Sequence, residues 1–134
     1  MSAPLPFIAT TNPHFERLGG LPAVHRLVEA FYGAMDTRPD ARAIRAMHAA
    51  DLAPAKAVLV GYLAEWLGGP KLYTAERGPP RLRRMHLPFA VDAAARDAWL
   101  ACMQQALQET CADTALNATL LAAFARTADH IRNT

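Results

Sequence analysis

The sequence predicts an all-α protein, and three observations carry that expectation. Alanine, the strongest helix former, supplies 29 of the 134 residues. Valine and isoleucine, whose β-branching favours strands, number only 8 together. Apolar residues also recur at i, i+3, i+4 and i+7 between proline and glycine signals, the period of a helix with one buried face. The length suits one domain, over residues 12–134, with a core that needs no covalent staple.

Each element follows from local chemistry. Residues 1–11 carry Pro4 and Pro6, show no periodicity and read as a flexible N-terminal arm. Asn12-Pro13 starts a short helix that ends at Gly19-Gly20. Pro22 opens the next helix, whose stripe is Val24, Leu27, Val28, Phe31 and Met35, with Tyr32 at its edge. Pro39 starts a short piece ending near Met47. Asp51 to Pro54 signals a further helix with a wide apolar face, Val58, Leu59, Tyr62, Leu63, Trp66 and Leu67, stopped by Gly68-Gly69-Pro70. Residues 71–80 contain Gly78-Pro79-Pro80 and read as mostly loop. A brief helix over Arg81 to His86 ends before Pro88. Asp92 caps a long helix through about Cys111, and Asp113 caps the last, with Leu116, Leu120, Phe124, Ala128 and Ile131 in its stripe.

Composition excludes several classes. The net charge is +2 with a pI near 8.8, and the basic residues are scattered, which argues against a nucleic-acid binder. The uncharged stretch from Thr114 to Ala125 is 12 residues, well short of the roughly 20 apolar residues of a membrane span. The N-terminus has neither a basic region nor an apolar run of signal-peptide length, so a cytoplasmic location is expected. Cys102 and Cys111 lie nine residues apart. On one helix that separation rises about 13 Å, too far for a disulfide.

Motifs for side-chain catalysis are missing: there is no P-loop, GxGxxG, CxxC, HExxH or GxSxG. Apolar helix faces without such groups suit a cofactor. Of the five histidines, His86 has the unusual setting, bracketed by Leu82, Met85, Leu87 and Phe89 with Pro88 ending the chain segment. Taken alone it reads as a half-buried core or surface residue, with an axial metal ligand as the functional alternative, and periodicity does not settle between them. Tyr32 and Trp99 taken alone are core aromatics, and His48 a loop histidine.

A longer pattern adds to this reading. It comprises Phe31-Tyr32, Met47-His48-Ala49-Ala50-Asp51-Leu52, Trp66-Leu67-Gly68-Gly69-Pro70, Leu72-Tyr73, Gly78-x-Pro80-x-Leu82-Arg83, His86-Leu87-Pro88-Phe89, and Arg96-Asp97-x-Trp99-Leu100-x-Cys102-Met103. In this order it resembles the truncated haemoglobins, specifically their second group, over about residues 13–110. The last helix matches by pattern only. The resemblance implies a truncated globin, a two-over-two helical sandwich holding one heme b between the helix near Pro54 and the segment before His86. It implies His86 as the proximal iron ligand, as in globins generally. It also implies Tyr32, His48 and Trp99 as distal hydrogen-bonding groups, with Ala55 where larger globins place a distal histidine. Leu59 and Tyr62 share the face of Ala55 by helical spacing.

Two departures from the family pattern stand out, and the second bears on how heme carboxylates are held. The family has Gly-His-Pro where this chain has Gly78-Pro79-Pro80, and arginine where it has Met85. Arg83, Arg84, Lys71 and Tyr73 are the expected substitutes, and Met85 is expected to point about 100° from His86 as a packing residue. The implied function is binding of O2, with NO and CO, stabilised by distal donors. The alternative is an enzyme using the same pocket, peroxidase-like or NO-detoxifying, served by an external reductase. A heme-free interaction module is the third reading. No nucleic-acid or membrane partner is expected, and monomer and homodimer stay open.

Overall fold

The computed structural model describes residues 13–134, so the expected N-terminal arm lies outside the described residues. The described elements are all helical. They are α1 (His14–Leu18), α2 (Gly20–Thr37), a 3-10 turn (Pro39–Ala41), α3 (Arg42–Ala46), α4 (Ala53–Trp66), α5 (Leu72–Arg77), α6 (Leu82–His86), α7 (Ala93–Thr110) and α8 (Thr114–Ile131). Helix α2 packs on both α4 and α7, and α7 packs on α8. Two pairs of long helices are thereby stacked, the two-over-two sandwich.

The stripe on α2 explains its central place. Val24, Leu27, Val28, Phe31 and Met35 are all buried, as is Tyr32 beside them. Helix α4 is apolar nearly all round. Val60, Leu63 and Ala64 enter the core, while Ala55, Leu59, Tyr62 and Trp66 are only partly covered. A helix with two apolar faces needs something against each. The second face of α4 borders the cavity described below.

The caps read from sequence are made. Asp92 Oδ1 accepts from the Ala95 amide at 2.8 Å, and Asp113 Oδ1 accepts from the Leu116 amide at 3.0 Å. Asp113 also takes both Arg17 donors, at 2.9 and 3.1 Å, and these hydrogen bonds hold its carboxyl below the usual carboxylate range. Helix α2 begins two residues before Pro22. Gly19 and Gly20 take φ of 124° and 74°, so the chain reverses there between α1 and α2 at positions that suit glycine.

Residues 71–80 differ from expectation, because Leu72–Arg77 form helix α5. A six-residue helix is marginal alone. Its support is tertiary and invisible to local pattern. Glu65, at the end of α4, accepts from the Thr74 amide at 2.8 Å and from the Thr74 hydroxyl. Gly78 closes the other end, donating its N–H to the Thr74 carbonyl at 2.9 Å with φ 76°.

Helix α1 is docked on the end of α4 through the Phe15 amide, which donates to the Leu67 carbonyl at 2.9 Å. The Phe15 ring lies over Gly69. A methyl group there would meet three ring atoms at 2.5–2.7 Å, closer than carbon atoms approach. Gly69→Ala is therefore expected to destabilise the fold by about 1–3 kcal/mol, the usual cost of overpacking. Urea denaturation checks this, as a lower midpoint at unchanged slope.

Candidate functional site

A cavity of about 500 Å³ opens between α4, α6, α7 and α8, lined also by Tyr32 of α2 and by His48. Its wall is mostly hydrocarbon, from α4 (Ala55, Val58, Leu59), α8 (Phe124, Ile131) and Val91. Among the described residues no group of three or more His, Cys, Asp or Glu side chains could hold a bare metal ion. A metal held here would have to bring most of its own ligands.

His86 supplies one ligand with a defined orientation. Its Nδ1 lies 2.6 Å from the Leu82 carbonyl, one turn back on α6. A carbonyl only accepts, so Nδ1 carries the proton and the neutral ring keeps its lone pair on Nε2. The ring lines the cavity, and the same hydrogen bond makes the imidazole a stronger ligand.

Tyr32 and Trp99 line the cavity as well. Tyr32 is 5% exposed. Among the described residues neither its hydroxyl nor the Trp99 indole N–H has a protein hydrogen-bond partner. Burial pushes the Tyr32 hydroxyl up to about 12. Tyr62 is also pushed up to about 12, first by burial and then by Glu65 and Tyr73 nearby. Both phenols thus stay protonated, as donors, through the neutral range. The aromatic rings are mutually braced. Phe31 meets Tyr32 edge-on at 5.0 Å and Trp99 at 5.1 Å, and Trp99 meets Phe124 at 5.5 Å. Such contacts fix ring positions at centroid distances typical of folded cores.

His48 lines the same space and stands edge-on to Tyr32 at 5.7 Å. Its Nδ1 is 2.9 Å from the Ile44 carbonyl. The proton is committed there, so in the neutral ring Nε2 is an acceptor. His48 therefore adds an acceptor beside Tyr32 where a third donor was expected.

Of the residues singled out from sequence, Tyr32, His48, Ala55, Leu59, Tyr62, Tyr73, His86 and Trp99 are brought together around the cavity. Arg83 is not. Its guanidinium donates instead to the carbonyls of His130, at 2.9 Å, and Arg132, at 3.5 Å. Arg84 and Lys71 are also absent from the wall. Two other cations reach it, Arg77 and Arg96. Arg96 is paired with Asp97 and Asp129, whereas Arg77 has no ion pair among the described residues. Met85 lines the cavity as His86 does, and its sulfur accepts from the Tyr73 hydroxyl at 2.9 Å. Helix α6 ends at the cavity, so adjacent positions both reach it. Phe124, Thr127 and Ile131 of α8 were not foreseen as site residues. Phe124 and Ile131 belong to a stripe that signals burial, and periodicity does not tell a core from a cavity wall.

Residues 13–133 match the family described as Bacterial-like globin. The chain is 32% identical over 122 residues to the group 2 truncated hemoglobin YjbI of Bacillus subtilis, covering 91% of this chain and 89% of that one. Two solved structures are similar throughout. One is a cold-adapted truncated hemoglobin from the Antarctic marine bacterium Pseudoalteromonas haloplanktis TAC125, with TM-score 0.87, 34% identity, and coverage of 90% of this chain and 97% of that one. The other is a group II 2-on-2 hemoglobin from the plant pathogen Agrobacterium tumefaciens, with TM-score 0.86, 39% identity, and coverage of 89% and 92%.

Proposed function

Because the chain belongs to the bacterial-like globin family, among the group II truncated haemoglobins, and so binds ligands through heme, we propose that His86 ligates the iron of a heme b and that O2 is the gas held above it. NO and CO fit the same chemistry. The observation that carries this reading is the His86 imidazole, its Nδ1 proton spent on Leu82 and its Nε2 lone pair free beside an apolar cavity.

The residues present fit the cofactor. The cavity wall is mostly hydrocarbon, and Met85 and Phe89, which line it, also leave exposed apolar surface. The Tyr32 hydroxyl, on a buried residue that lines the cavity, has no protein acceptor among the described residues and is available to an acceptor inside the cavity. When bound, the heme supplies an iron that takes diatomic gases reversibly. His86 would hold the iron through its free Nε2 lone pair. The walls from α4 and α8 keep water out, which strengthens every hydrogen bond inside. Tyr32 and Trp99 would offer hydrogen-bond donors to a bound gas that carries partial negative charge. Ala55 projects only a methyl group into its part of the wall, so the pocket has no bulky side chain there to gate entry.

Titration of the purified chain with hemin tests this. One equivalent is expected to bind with a sharp Soret band, and the reduced form to shift on adding CO. Hemin that keeps its free spectrum would reject the reading. Steady-state consumption of peroxide, or of NO with a reductant, separates the enzymatic alternative from simple carriage.

A further inference from the structure

The segment that carries His86 has no core of its own. Helix α6 is five residues long, and none of its residues is buried. Helices this short do not persist on backbone hydrogen bonds alone. The bond that closes it, from the Leu87 amide to the Arg84 carbonyl, is a long 3.3 Å. The Leu82 carbonyl orients the ring on α6, but something outside α6 must hold α6 itself in place.

Asn133 is placed to do so. Its side-chain amide donates to the His86 carbonyl at 3.2 Å and to the Phe89 carbonyl at 3.0 Å. Its Oδ1 accepts from the Val91 amide at 3.0 Å, and its own backbone N–H donates to the Val91 carbonyl at 2.9 Å. One asparagine therefore uses both amide donors and its oxygen on the turn that leaves His86. Arg83, one turn earlier, reaches the same stretch of chain after α8 through the His130 and Arg132 carbonyls. Residues 83–91 are thus tied at both ends to residues 130–133.

We propose that Asn133 is a positioning residue for His86, setting the tilt and height of the imidazole by clamping the backbone on its C-terminal side, with Arg83 as the second tie. The proposal rests on the reading of His86 as the iron ligand. Asparagine suits the role because the turn presents two carbonyls and one N–H to a single side chain. Aspartate would keep the acceptor for Val91 but set a carboxylate against two carbonyl oxygens.

The test uses the hemin-loaded full chain. Asn133→Ala is expected to speed hemin transfer to an apoglobin acceptor about tenfold, to displace the Fe–His stretching band of the ferrous form, and to raise exchange of the Val91 amide about tenfold. Asn133→Asp is expected to displace the Fe–His band as the alanine variant does, while Val91 stays protected. The Fe–His band is the readout that a purely structural role would leave alone. An unmoved band in both variants, even with a lower melting temperature, overturns the proposal. Should Asn133→Ala fail to fold, the aspartate variant decides by the same band. A wild-type chain that binds no hemin refutes the His86 reading instead, and Val91 exchange then still reports whether the clamp exists.

Discussion

Replacing His86 with alanine is expected to abolish stable heme binding, the largest single effect the site can show. Outer-shell partners of metal ligands typically cost about 10–100-fold in affinity when lost, and loss of the ligand itself should exceed that. No neighbour can take its place at the iron by a small adjustment. Among the described residues His48 is the other histidine lining the cavity, and its Nδ1 is tied to Ile44. Met85 is adjacent, but its sulfur is engaged by the Tyr73 hydroxyl. Deleting the imidazole leaves a ring-sized space beside the Leu82 carbonyl, which added imidazole can fill with the same hydrogen bond. Hemin titration of the variant, with and without imidazole, is the measurement. Spectral recovery with imidazole is expected, and a variant whose ferrous spectrum equals the wild type would remove His86 from the site.

The second large effect is expected at Trp99. Trp99→Phe keeps an aromatic body between Phe31 and Phe124 but deletes the indole N–H. A hydrogen bond to a charged group is worth about 1.5–3 kcal/mol, which corresponds to O2 release roughly 10- to 150-fold faster. CO gathers less negative charge on its outer oxygen, so its release should respond less. Tyr32→Phe should also accelerate O2 release, though not additively, because both donors serve one acceptor. Stopped-flow dissociation of both gases decides between mechanisms. Equal acceleration for O2 and CO would mean that Trp99 acts by bulk.

Most of the helical frame was legible because its signals are local. The α2 stripe, the aspartate caps of α7 and α8 and the Gly68-Gly69-Pro70 stop each lie within one or two turns of what they determine. Helix α5 was not legible, since the carboxylate that supports it comes from Glu65, nine residues before Thr74. The site residues named in advance came from an ordered resemblance, and eight of them do surround one cavity. Arg83 stands off the cavity wall for a physical reason. Its neighbourhood offers carbonyl acceptors after α8, 47 residues on, and no local pattern announces them. Arg77 was missed because its direction depends on α5, and the tautomer of His48 because it depends on the position of the Ile44 carbonyl.

The second apolar face of α4 makes folding and occupancy a single equilibrium. Ala55, Val58 and Leu59 border open space, so a molecule seated against them adds its binding free energy only to the folded chain. By mass action the folded state gains about 2.7 kcal/mol when the free occupant stands at 100 times its dissociation constant, and about 4.1 kcal/mol at 1,000 times. The melting temperature of this chain is consequently no fixed property of its sequence. It is a function of how much cofactor the surroundings supply, and a cell short of that cofactor would hold the same polypeptide nearer its unfolding threshold.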